Sequence, residues 1–248
     1  MGMKAKGLLS LAVVLGSLVM MVWLASTVPT ETELELIAHA NRNGVSVADY
    51  PDSLVALMER NPEAKGFVLN YPFREEGEAD LSEFDPALGV PLFLQWDERW
   101  GYQPWGDDFV GVSGSAPMCL AMTGWYLSGG DEKFSPRKVA EFARENGYIS
   151  GNRGIRDCGR ALGLEVMELG REERKLLLYL KNGSLVIAQM GRGDFSDSRQ
   201  YIVLAGCSAD QIIVRDPGSR DNSAKTWSYS DLAHQMERLW LVRLENAG

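Results

Sequence analysis

The spacing of apolar residues changes character along the chain, and each change predicts a different kind of element. From Gly7 to Val28 the sequence reads GLLSLAVVLGSLVMMVWLASTV, an uncharged run long enough to cross a hydrocarbon core as a helix. Lys4 and Lys6 precede it, and Glu31, Glu33 and Glu35 follow it. The positive-inside rule therefore places the N-terminus in the cytoplasm and the remainder outside. The alternative is a cleaved signal peptide, for which the run is long and Ala25-Ser26-Thr27 a poor exit site. Residues 1–30 are expected to be a cytoplasmic stub and an uncleaved anchor, leaving secretion after cleavage as the second possibility. From Thr32 to Tyr71 the apolar positions fall at helical spacing: Leu34, Leu36, Ile37 and Ala40, then Leu54, Leu57 and Met58, with Gly44 and Pro51 as punctuation. Asn61 before Pro62 reads as a cap followed by a first helical residue, leading toward Phe67, Val68 and Leu69. The acidic stretch Glu75 to Asp85 reads as a solvated linker, so 31–89 is a helical extension with a linker.

A larger domain is expected over residues 90–248, opening at VPLFLQWDERWGY. Its centre is VSGSAPMCLAMTGWYL, Val112 to Leu127, a tight turn at Gly114 followed by an almost wholly apolar helix. Ser115 reads as its N-cap, with Pro117 in the first turn. Further helices are expected from Ser135-Pro136 to Gly147, around Ile155 to Leu162, and from Glu172 to Lys181. The pattern then turns to β-branched and apolar runs: Ser184 to Met190, Tyr201 to Ala205, Ile212 to Val214 and Leu239 to Leu244. Helices followed by strands predict an α+β domain with a mainly antiparallel sheet.

Composition narrows the function classes. The chain has 248 residues and a formal net charge of −9. Such a chain repels polyanions, and nucleic acid is set aside as a partner. Three cysteines occur, Cys119, Cys158 and Cys207, with no CxxC pair and no histidine at ligand spacing, so no metal or cofactor is expected. No cysteine follows the apolar run to accept a lipid. His39 reads as a surface or packing residue, and His234 lies far in sequence from the motifs below.

Taken in order, VPLFLQWDERWGY, GSAPMCLAMTGWYL, MGRGDF, RQYIVLAG and VRDP resemble the motifs of the C39-like cysteine peptidases, a branch of the papain-like fold. The resemblance covers about Val90 to the C-terminus. It implies a central helix bearing the nucleophilic Cys at its start, packed on the antiparallel sheet. It also implies a His opening the strand that reads H-F/Y-I-V-L, an Asp in D-P that orients this His, and a Gln that helps to bind the oxyanion. On this chain the Gln position is Gln95 and the Asp position is Asp216, both retained. The Cys position is Ser115 and the His position is Gln200.

That double substitution removes the chemistry. A Cys at a helix start beside His exists as a thiolate, whereas a Ser hydroxyl needs a general base. Gln200 is a neutral amide that neither takes a proton nor returns it. Loss of nucleophile or base alone costs roughly six orders of magnitude in turnover. Each residue also has an ordinary reading: Ser115 a cap, Gln200 a strand-edge polar residue, Asp216 a turn former, Gln95 a loop amide. Cys119 lies one helical turn beyond Ser115 and reads first as an inert core thiol. The expectation is a membrane-anchored, extracytoplasmic pseudopeptidase, bacterial by resemblance, whose cleft binds a peptide or protein segment. Two alternatives stand beside it: an active hydrolase using Cys119 or Ser115 with an unidentified base, and a purely structural domain.

Overall fold

A computed structural model describes residues 29–75, 77–149 and 153–245. The expected anchor over Gly7–Val28 lies outside the described residues. Among the described residues no helix is long and apolar enough to cross a membrane. The chain divides into two compact units, residues 1–60 and 61–248. The boundary thus falls before Asn61, and residues 61–89 belong with the domain expected over 90–248.

The first unit is helical, as its spacing predicts. Helix α1, Glu31–Asn43, begins with a capping box between Thr30 and Glu33 and stops at Gly44, whose φ of 70° is the left-handed value that glycine adopts without strain. Pro51 precedes α2, Asp52–Arg60, which buries Leu54, Leu57 and Met58.

In the second unit, Asn61 accepts a hydrogen bond from Glu63 N and Pro62 opens a 3-10 turn over Pro62–Ala64, before the short helix Lys65–Leu69. A two-residue pair, β1 (Pro104–Trp105) and β2 (Asp108–Phe109), precedes the helical turn Val110–Ser113. Helix α3 follows at once, Ser115–Ser128, ending at Gly129 in the left-handed region. Its body is buried on all sides from Ser115 to Trp125, which explains an apolar composition without amphipathic spacing. Helix α4 spans Pro136–Glu145 and α5 spans Glu173–Lys181. At Gly124 α3 passes so close to Phe134 that a Cβ would stand 2.0 Å from its ring.

Strands β3 (Leu164–Leu169), β4 (Leu185–Met190), β5 (Gln200–Ser208), β6 (Gln211–Arg215), β7 (Thr226–Trp227) and β8 (Met236–Leu244) form one antiparallel sheet in the order β3-β8-β4-β5-β6-β7. The α+β class is as expected. The placement of strands differs in one respect: β3 lies before α5, where no strand is predicted. Its sequence LEVMEL alternates buried and exposed positions at an edge, a short signal hidden between two helical stretches.

The sheet is covered on both faces. On one, Ile187, Tyr201, Val203, Trp240 and Val242 share a core with Met118, Leu120 and Met122 of α3. On the other, Val186, Ala188, Ile202, Leu204 and Leu241 share a core with Leu176 and Leu180 of α5. Strand β4 is accordingly buried at every residue and reads as a continuous apolar run broken only by Gln189.

Candidate functional site

The start of α3 meets the start of β5. Ser115 is the first residue of its helix, and Gly114 takes the N-cap position expected for Ser115. The physical reason is that the hydroxyl is engaged elsewhere: Ser115 Oγ accepts a hydrogen bond from Tyr201 N at 3.2 Å. Strand β6 pairs with β5 only from Val203 onward, and on that side Ser115 supplies an acceptor for the buried Tyr201 amide. Ser115 is 4% exposed.

Gln200 opens β5 as predicted, but its amide Nε2 donates to Asp216 Oδ1 at 3.2 Å instead of reaching Ser115. Asp216 is fully buried and accepts two further bonds, from Gly218 N at 2.8 Å to Oδ1 and from Asn222 Nδ2 at 2.9 Å to Oδ2. Burial pushes its carboxyl up to about 6, while the bonds from Asn222, Gly218 and Gln200 pull it partly back. A Cβ at Gly218 would stand 2.6 Å from Gln200 Nε2, so a larger residue there pushes the Gln200 amide aside.

Gln95 is tied to the same corner, its N donating to Pro217 O at 2.8 Å. Its Nε2 donates to Gly111 O at 3.1 Å and Val112 O at 3.3 Å, the carbonyls of the turn that feeds α3. With both amide hydrogens committed there, Oε1 is left buried without a hydrogen-bond partner. Gln95 thus ties Pro217 to the turn that feeds α3.

Thus the four predicted positions gather in one buried region, where Gln200 and Asp216 meet side chain to side chain while Ser115 and Gln95 are tied in through the backbone at Tyr201 and Pro217. Cys119 is fully buried, and burial first, then the nearby Asp216 carboxylate, drives its thiol well above the ordinary value, away from a reactive thiolate. Cys119, Cys158 and Cys207 are all free thiols. His234 is exposed, its Nδ1 beside Ser230 O at 3.3 Å. Among the described residues no group of His, Cys, Asp and Glu is arranged to hold a metal ion.

The segment Asn61–Glu63 and its partners are the part of the site that sequence reasoning misses. The Glu63 carboxylate accepts from Ser219 Oγ at 2.5 Å and from Arg220 N at 2.8 Å, capping the short helix Arg220–Ala224 that follows Asp216. Asn61 Nδ2 and Trp96 Nε1 both donate to Gly218 O, at 2.8 and 3.0 Å, and the Arg220 guanidinium lies 4.3 Å over the Trp96 ring. The only hint in the sequence is Ser219 three residues before Asn222, a weak cap signature whose hydroxyl does accept from Asn222 N.

No family model and no curated protein matches the chain. Among solved structures it is similar to the peptidase domain of Streptococcus ComA, a bi-functional ABC transporter involved in a quorum sensing pathway, with 19% identity over 62% of this chain and 98% of that one and a TM-score of 0.44. It is also similar to a double glycine motif protease from an AMS/PCAT transporter, solved in complex with the leader peptide, with 17% identity over 52% of this chain and 84% of that one and a TM-score of 0.37.

Proposed function

We propose that this chain is a non-hydrolytic C39-like domain that holds a peptide or protein segment at the Ser115 corner, tethered outside the cytoplasm by Gly7–Val28. One observation carries the reading. Ser115 Oγ is an acceptor for Tyr201 N, and Gln200 is bonded to Asp216, so no imidazole or carboxylate stands ready to take the hydroxyl proton. The unpartnered Oε1 of Gln95 supports binding over a purely structural role, because a buried acceptor gains about 1–3 kcal/mol when a donor reaches it.

The full chain is expected to turn over no peptide substrate and to resist thiol-directed and serine-directed probes at residue 115. Ser115→Cys alone supplies a nucleophile without a base, and Gln200→His alone a base without a reactive sulfur. The double variant is expected to recover labelling at 115, with strongly non-additive effects. Hydrolysis by the unmodified chain that is lost in Cys119→Ala would falsify the inactive reading. Failure of the double variant to be labelled would favour the structural alternative. For the tether, protease added to intact cells is expected to remove residues 32–248, and full protection of the domain in sealed cells overturns that placement.

A further inference from the structure

The helical unit carries a groove that plays no part in the function just described. Helices α1 and α2, with the 3-10 turn Val47–Asp49 between them, line a cavity of about 840 Å³. Its floor is apolar, with Leu36, Ile37, Val47, Val55 and Ala56. Ile37 is 37% exposed, Val47 is 40% exposed, and Leu34, on the same face of α1 as Ile37, is 55% exposed. Leu34, Ile37 and Val47 thus stay in contact with water, at about 25 cal/mol for each Å² left unburied.

The rim has one sign of charge. Glu33, Asp52 and Glu59 line the cavity, and among the described residues no lysine or arginine does. Two of them are held in place: Glu33 Oε2 accepts from Thr30 N at 2.7 Å, and Glu59 Oε1 accepts from Thr30 Oγ1 at 3.3 Å. None of the three is paired with a cation among the described residues. An apolar floor between carboxylates selects for a partner that carries apolar and cationic side chains on one face, the pattern of an amphipathic helix laid in a groove. The same carboxylates repel an anionic lipid surface and nucleic acid.

We propose that the α1–α2 groove docks a cationic amphipathic helix of another protein. The test uses the full chain in zwitterionic-lipid nanodiscs, with empty nanodiscs as the baseline. Fluorescence anisotropy is read with a synthetic helix of Leu and Lys at 3.6-residue spacing, and with its Leu and Glu counterpart. Binding of the Leu/Lys helix is expected to be at least about tenfold tighter than that of the Leu/Glu helix. Ile37→Ser and the double variant Asp52→Asn, Glu59→Gln are each expected to weaken it about fivefold, the second also flattening its salt dependence. A benzophenone side chain in place of Ala56 is expected to cross-link the Leu/Lys peptide. Equal affinity for the two peptides, unchanged affinity in both variants, or cross-linking of a second copy of the chain in preference to the peptide each overturns the proposal.

Discussion

The two ends of the Ser115 corner are held in very different ways. At the helix end, Ser115 has one hydrogen bond, to Tyr201 N, and the surrounding α3 core is apolar. At the loop end, Asp216 accepts three bonds, and the loop after it is gripped again by Glu63, Asn61, Trp96 and Arg220. A residue with one weak obligation tolerates exchange of a thiol for a hydroxyl. A residue in a dense polar network does not, because each change leaves several buried groups unpaired. Substitution at Asp216 is therefore expected to disturb the corner more than substitution at Ser115.

The largest test of that contrast is the pH dependence of stability. Asp216 is raised from the ordinary range near 4 to about 6 in the folded chain, chiefly by burial. Between these values the native state keeps a proton that the unfolded chain has lost, so stability falls as pH rises through the window and is level above it. The effect amounts to at most about 3 kcal/mol. Denaturant unfolding of the native chain and of Asp216→Asn across pH 4 to 7.5 isolates it, and the difference between the two is expected to grow with pH in favour of Asn. A difference that is constant with pH contradicts the buried-carboxylate account.

Gly218→Ala probes the same network by steric means. The new Cβ displaces the Gln200 amide from Asp216, and a loss of about 2 kcal/mol is expected in chemical denaturation. A neutral result shows that the Gln200–Asp216 bond contributes nothing. At the helix end, Ser115→Ala removes this acceptor from the Tyr201 amide and is expected to cost about 1–2 kcal/mol, with faster hydrogen exchange at that amide. A cost larger than that of Gly218→Ala reverses the comparison. The smallest effect belongs to Glu63→Ala, which removes a cap from Arg220–Ala224 at about 1 kcal/mol and loosens the loop beyond Asp216.

Much of the architecture is legible in the chain alone, where local rules suffice. Gly44, Pro51 and Asn61-Pro62 bound the early helices at their predicted places, since caps and breakers act within a few residues. The apolar run at β4 and the opening of β5 at Gln200 are equally local signals. So are Ser at position 115 and Gln at position 200, which are residue identities alone.

What those residues do instead is decided by the tertiary structure. The bond from Tyr201 N to Ser115 Oγ spans 86 positions, and that from Ser219 Oγ to Glu63 spans 156. No local pattern encodes a partner at such a distance. Ser115 has the chemistry of a helix cap, and it fails to cap because its hydroxyl accepts from the buried Tyr201 amide instead. The sequence determined which groups were present at the corner, and folding determined which of them were already engaged.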